Sequence, residues 1–215
     1  MLNLGLLGQG ISHSKSPQMY QYLLGEVNYK LFDLENPPKL TTFWKGLDGL
    51  SITAPFKKEY LSEVEITGKK CQSINTIKYQ DGKFIGISTD YLALRDIFIT
   101  DLIKYSKIYI YLLGDGVMAQ ISKLIFEELG IAFEQFDRKR FGDISKLDLK
   151  RDRKEQIIVA NSCSRDFYFQ GKITENTIFF DYNYSISYPF YQFRDGTDLL
   201  VRQARYAISF WLNQF

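Results

Sequence analysis

Three short stretches carry side chains that could act together on a substrate. "SITAPFK" places Thr53 at the end of an apolar run, with Lys57 shortly after it, "SINT" carries Asn75, and "STD" ends at Asp90. An ammonium and a carboxylate in hydrogen-bond reach of one another can hand a proton to a carbonyl oxygen, or take one from a hydroxyl. A fourth stretch, "GISHSKSP", alternates Ser12, Ser14 and Ser16 ahead of Pro17. Hydroxyls in that number suit a ligand that is itself hydroxylated and must be held by several small donors and acceptors. Each residue also has a plainer reading. Ser16, Thr89 and Asp90 can be helix caps, Asn75 a turn residue, and Lys57 a solvated lysine beside Lys58. His13, the single histidine, reads as structural.

Elements from separate parts of the chain must bring these residues together. "LNLGLLG" reads as a buried strand, and Ser16-Pro17 starts a helix to about Leu24 with Met19, Tyr20, Leu23 and Leu24 on its apolar face. "YKLFDL" and "DGLSIT" read as strands. Pro55 then opens a helix with Lys57 in its first turn, where the helix dipole disfavours a second positive charge and a nearby carboxylate favours it. "INTIKYQDGKFIGIST" alternates around Asp81-Gly82, a hairpin signal, and "TDYLALRDIF" reads as a linking helix. Beyond it the pattern changes. "KIYIYLLGDG" is an apolar strand running into a glycine turn, "VMAQISKLIFEELG" an amphipathic helix closed by Gly130, and "IAFEQFDR", "QIIVANS" and "NTIFFDYNY" are further strands. "DLLVRQARYAISFWLNQF" closes the chain as a helix. Strands alternating with a helix after a glycine turn indicate a parallel unit, so the expected class is α/β in two lobes.

Composition narrows the partners. At 215 residues and 45% hydrophobic content there is room for one large domain or two small ones. A net charge of +2 gives no strong pull toward nucleic acid or an acidic membrane. The 17 Phe and 15 Tyr are spread without the basic interleaving of a strand-binding surface. Cys71 and Cys163 fit neither a disulfide framework nor a metal-ligand spacing, so no metal is expected and a reduced, cytoplasmic protein is. No leader and no membrane-spanning apolar run is read.

The order of the polar stretches is more specific than any one of them. The chain resembles the shikimate dehydrogenase family, which carries a serine-rich "SxS-P" segment, then "NVTxPxK", "NT" and "NTD". Here these are "SHSKSP", "SITAPFK", "SINT" and "STD". The family's late "Gly…Leu…Gln-Ala" segment is echoed by Gly196, Leu200, Gln203 and Ala204. The resemblance implies a substrate-binding α/β lobe at 1–95 with the closing helix 196–215, and a reduced Rossmann-like nucleotide-binding lobe at 96–195. It implies Lys57 and Asp90 as the catalytic pair. Ser14, Ser16, Thr53, Asn75, Gln203 and, in "DYNYS", Tyr184 are implied as contacts for shikimate or 3-dehydroshikimate. A monomer or homodimer is expected.

For the cofactor, "GDGVMAQ" supplies Gly114 and Gly116 for a tight turn and close approach to a pyrophosphate, and Ala119 keeps a later position small. Val117 stands where many family members have another glycine. In "FDRKR", Asp137 suits the ribose hydroxyls of NAD, while Arg138 and its basic neighbours suit the extra phosphate of NADP. The resemblance favours NADP, with NAD the alternative and a solvated basic turn the plainer reading. The family's "NVT" asparagine is Ser51, the glycine often found after "NTD" is Tyr91, and the chain is short between Asp137 and Tyr184. Two functions are therefore carried forward. One is a reversible NAD(P)-dependent reduction of 3-dehydroshikimate. The other is a non-catalytic shikimate- or quinate-binding homologue with an impaired cofactor site.

Overall fold

The computed structural model describes residues 1–69, 71–151 and 153–214; Phe215, the last residue of the expected closing helix, lies outside them. In chain order the elements are β1 (Leu2–Gly8), α1 (Ser16–Leu24), β2 (Val27–Asp33), α2 (Leu40–Phe43), β3 (Gly49–Ile52), β4 (Glu65–Ile66), β5 (Thr76–Gln80), β6 (Lys83–Ile87) and α3 (Thr89–Tyr105). They continue with β7 (Ile108–Leu113), α4 (Val117–Leu129), β8 (Ala132–Phe136), α5 (Arg138–Phe141), β9 (Gln156–Asn161), β10 (Ile178–Asp181), β11 (Gln192–Arg194) and α6 (Thr197–Trp211). The chain divides into two compact units, Met1–Leu92 with Val201–Phe215, and Ala93–Leu200.

The first unit holds a sheet in the order β2-β1-β3-β5-β6-β4. β1 runs parallel to both β2 and β3, while β5 and β6 form the antiparallel hairpin that the Asp81-Gly82 turn announces. Both turn residues take positive φ, the conformation a two-residue hairpin turn demands. One face of the sheet packs Leu7, Leu50, Ile52 and Ile77 against Phe56, Tyr60 and Leu40. The other packs Leu4 and Ile87 against Tyr20 of α1 and Ala204, Ala207, Phe210 and Trp211 of α6. Gly49 makes the α6 contact possible, because a Cβ there would meet the Trp211 indole at 2.4 Å. The indole N–H is satisfied by the Ile77 carbonyl at 3.0 Å.

The second unit holds a parallel sheet in the order β11-β10-β9-β7-β8. A parallel sheet has to be covered on both faces. Phe126 of α4 and Phe98 of α3 cover one, meeting edge to face at 4.9 Å, with Phe180 of β10 beside Phe98. On the other face the connections β8–β9 and β9–β10 contain no long helix among the described residues. Instead Ile144, Leu149, Phe169 and Tyr188, from irregular chain, lie over Tyr111, Leu113, Ile157, Val159 and Phe179. Phe169 stacks on Phe179 at 5.4 Å, and Tyr188 leans on it at 4.6 Å. Large rings bury much area per residue, which lets short loops do the covering and accounts for part of the high aromatic content. No helix among the described residues is long and apolar enough to cross a membrane.

Gly49→Ala should destabilise the chain by about 1–3 kcal/mol, since the new methyl group has to displace the Trp211 ring. A urea titration measures this, and an unchanged midpoint would show that β3 and α6 are not pressed together at this point.

Candidate active site

In the first unit β1 lies between β2 and β3, so the chain leaves the sheet in opposite directions on its two sides. The crevice beyond the strand ends at such a reversal is where open α/β sheets take ligands. The serine-bearing loop begins there. The Asp33 carboxylate, at the end of β2, accepts the N–H groups of Gly10 at 2.7 Å and Ile11 at 3.0 Å, and Ile11 is buried. Ser14 Oγ then accepts the Ser16 N–H at 3.2 Å and donates to Ser16 Oγ at 3.1 Å. α1 starts at Ser16 itself, with Lys15 in the cap position and no side-chain cap bond. The expectation that Ser16 caps this helix is therefore corrected: Ser16 is already helical, and Ser14 supplies the acceptor. Ser12 and His13 are exposed, so His13 packs into no core.

Thr53 follows β3 directly. The helix expected after Pro55 is instead a three-residue 3-10 turn, Phe56–Lys58, anchored by buried Phe56. So short a turn sums to almost no macrodipole, and the dipole argument for Lys57 falls away. Its position comes from elsewhere. The Lys57 carbonyl accepts the Ile74 N–H at 2.9 Å, and Lys57 Nζ lies 2.7 Å from Asp90 Oδ2. The side chains of this pair are only 15% and 4% exposed, so the charges meet largely out of water.

Asn75 sets the place of Asp90. Its Oδ1 accepts the Thr89 N–H at 2.7 Å at the start of α3, and its Nδ2 donates to Thr89 Oγ1 at 2.9 Å and to Gln203 Oε1 of α6 at 3.4 Å. Thr53, Lys57, Asn75, Asp90 and Gln203 thus come from four segments of one unit. Near them lies a group of hydroxyls that the motif reading did not include. Tyr20 OH is 3.4 Å from Ser51 Oγ, and the Tyr20 ring stacks on Tyr29 at 4.8 Å. Burial raises the Tyr20 phenol, the Ser51 bond opposes this, and the Asp90 charge adds to it. Tyr29 OH is buried and makes no hydrogen bond of good geometry. Burial holds its phenol well above the ordinary value, with the Tyr20 phenol adding to the rise and the nearby Ser51 and Ser16 hydroxyls opposing it. The only signal for these phenols in the sequence was their apolar spacing, which does not report where a phenol oxygen ends up.

In the second unit the reversal falls between β7 and β9. Gly114 ends β7 with φ +106°, and a Cβ there would lie 2.9 Å from Ser162 Oγ. Gly116 precedes α4 with no side-chain cap and with open space where a Cβ would stand. The first N–H groups of a 13-residue helix therefore face a clear approach, which fits a pyrophosphate. Asp115, between the glycines, is ion-paired to Lys139 at 2.8 Å, and that contact lowers its carboxyl. Ala119 is fully buried, so it serves helix packing rather than ligand contact. Asp137 is already engaged: it accepts the N–H groups of Lys139 and Arg140 as the cap of α5 and pairs with Arg140 Nε at 2.9 Å. Arg138 stands exposed beside it.

The sequence reading also passed over Asp181. Its Oδ1 accepts from Asn161 Nδ2 at 3.2 Å and from the N–H and Nδ2 of Asn183, each at 3.0 Å, while Oδ2 is buried without a partner. This polar knot at the ends of β9 and β10 holds the turn that carries half-buried Tyr184. Cys163, alongside, has its thiol pushed up to about 12 by burial.

A family profile described as the shikimate dehydrogenase substrate binding domain matches residues 6–77. An NADP(+) shikimate dehydrogenase of Buchnera aphidicola is 28% identical over 257 aligned positions, covering 98% of this chain and 92% of that one. Residues 6–77 thus carry the signature of that substrate-binding domain, and the chain is similar to shikimate dehydrogenases over nearly its whole length. A second relative, from Clostridium beijerinckii, is 34% identical over 127 positions, covering 54% of this chain and 47% of the other. Among solved structures, shikimate dehydrogenase from Aquifex aeolicus aligns with TM-score 0.75 at 20% identity over 99% of this chain and 93% of that one. Shikimate 5-dehydrogenase of Thermus thermophilus, solved with NADP(H) and shikimate, aligns with TM-score 0.74 at 19% identity over 99% and 94%. These two carry the fold, and the two-lobed α/β class is that of the shikimate dehydrogenase family. The Buchnera alignment is longer than the 215 residues here, so that relative has segments this chain lacks.

The buried polar atoms can be tested one at a time. Tyr29→Phe removes a hydroxyl that no partner compensates and should stabilise the chain by about 1 kcal/mol; a lower melting temperature would mean the phenol is satisfied after all. Burial raises the Asp181 carboxyl, with the Asn183 and Asn161 bonds opposing. The folded chain then holds that proton more tightly than the unfolded chain. The stability it contributes is complete below the ordinary carboxylate range and is lost as pH rises through the raised value. Asp181→Asn should therefore melt higher than the parent near neutral pH, the gap closing toward about pH 4; a gap that widens on acidification contradicts this.

Proposed function

We propose that this chain is an NADP-dependent oxidoreductase that interconverts 3-dehydroshikimate and shikimate, acting in a reducing cytoplasm. The single observation that carries the reading is the Lys57–Asp90 contact of 2.7 Å, largely out of water, with Asn75 bonded both to Thr89 next to Asp90 and to Gln203. The name of the Buchnera relative and the ligands in the Thermus structure support the substrate and the cofactor.

When bound, the nicotinamide supplies or accepts the hydride. The rest falls to the chain. Lys57 donates a proton to the ring carbonyl oxygen as negative charge develops there, and withdraws it in the reverse direction. Asp90 holds the Lys57 ammonium and accepts the substrate hydroxyl, so that one carboxylate orients both partners. The serines, Thr53, Asn75 and Gln203 take the remaining hydroxyls and the carboxylate of the ring. Gly114 and Gly116 leave room for the pyrophosphate, and Arg138 with Lys139 and Arg140 would hold the additional phosphate of NADP. The Asp137 carboxylate already serves as a cap and ion-pair partner, which favours NADP over NAD. A protein that only bound shikimate would gain nothing from an ion pair removed from water, whose desolvation costs several kcal/mol per ion.

Purified protein given shikimate and NADP should reduce the nucleotide, and Lys57→Ala should lower kcat by about 10²–10⁴-fold while shikimate still binds. Turnover in Lys57→Ala equal to that of the parent would remove Lys57 from the chemistry. Shikimate binding by the parent without turnover on NADP or NAD would favour the binding-only homologue.

A further inference from the structure

The first unit has a separate cavity, of about 240 Å³, that shares no residue with the site above. Ile85 and Ile87 of β6, Leu92 of α3 and Phe210 of α6 form its apolar wall, and Lys78 and Ser88 supply polar groups. Lys78 pairs with Ile85 across the hairpin, so both side chains rise from the same face of the sheet. Its ammonium sits 4.5 Å from the centre of the Phe210 ring and donates to the Phe210 carbonyl and to Asn213 Oδ1. Those two acceptors occupy two of its three protons. Among the described residues no carboxylate lies in ion-pair reach of Lys78. Partial burial lowers its pKa, which the more distant Asp81 charge opposes. Lys69 adds a second positive side chain to the lining. The cavity thus has apolar walls with the Lys78 ammonium beside the Phe210 ring, and its described lining contains no acidic residue.

We propose that this cavity binds a small aromatic monocarboxylate, with the ring among Ile85, Ile87, Leu92 and Phe210 and the carboxylate on Lys78. The size decides the class. A cavity of roughly 150 Å³ holds one benzene ring, so the volume here takes one ring and a short carboxylate arm but no nucleotide or fused polycyclic ligand. The charge decides the head group, since a charge-assisted bond to a partly desolvated ammonium is stronger than one to a neutral donor. The inference does not depend on turnover, and its test rests on the shikimate site proposed above only for the competitor and the fold control.

The test uses benzoate and its neutral isostere benzamide, titrated into the full chain saturated with shikimate and followed by amide NMR shifts. Benzoate should bind with shikimate present, shift the amides of Ser88 and Leu92, and bind about tenfold or more tightly than benzamide. Lys78→Gln should remove that preference. Ile85→Phe, which fills the cavity and leaves Lys78 in place, should weaken both probes, its fold being checked by retained shikimate binding. Displacement of benzoate by shikimate, equal affinity for the two probes, or no benzoate shifts at millimolar concentration would each overturn the proposal.

Discussion

A buried carboxamide must have its donors and acceptor matched, and in this chain that requirement is met at Asn75 by joining four elements. The backbone of Asn75 bonds to Ile52 at the end of β3 and to Ile87 at the end of β6. Its side chain takes the first N–H of α3 and reaches Gln203 on α6. The start of α3 is thereby placed within reach of the turn after β3, and the Lys57–Asp90 contact follows from it. Moving any one of these elements would leave a buried polar group unpaired, at a cost of about 1–3 kcal/mol. The geometry of the ion pair is therefore held by neutral hydrogen bonds around it, and the pair does not have to organise itself.

The two units handle the same topological problem in different ways. In the first, the chain beyond the reversal at β1 pairs hydroxyls, Ser14 with Ser16 and Tyr20 with Ser51. Where the family has the asparagine of "NVT", this chain has the shorter Ser51, and the Tyr20 phenol reaches toward it. In the second, the reversal between β7 and β9 leaves an uncapped helix start behind Gly116, with charge supplied by the basic turn after β8. One face of this sheet carries no long helix among the described residues. Phe169 and Tyr188, packed on Phe179 of β10, cover that face instead, because stacked rings cover a sheet with fewer residues than a helix needs.

Much of this was legible in the sequence. The hairpin at Asp81-Gly82, the strand and helix around Gly114, the closing helix and the order of "SHSKSP", "SITAPFK", "SINT" and "STD" are local patterns, and each is governed by turn chemistry or periodicity within a few residues. Local rules also produced the errors. Ser16 before Pro17 looks like a cap, yet Ser14 takes that part. Pro55 looks like the start of a helix, yet the chain turns only once before the demands of burying Phe56 and pairing the Lys57 carbonyl with Ile74 take over. Asp137 looks like a ribose ligand by its place after a strand, and its carboxylate is used to cap the next turn.

Residue types and their spacing determined by themselves the α/β class, and their order carried the resemblance that named the candidate residues, since each depends on identity and order along the chain. Only the tertiary structure decided that Lys57 and Asp90, 33 residues apart, touch; that Asn75 meets Gln203 from 128 residues away; and that the phenols of Tyr20 and Tyr29 turn inward. Distance in space is set by how sheets and helices pack to bury their apolar faces while leaving few polar groups without a partner. That is a condition on the whole unit, and no window of sequence contains it.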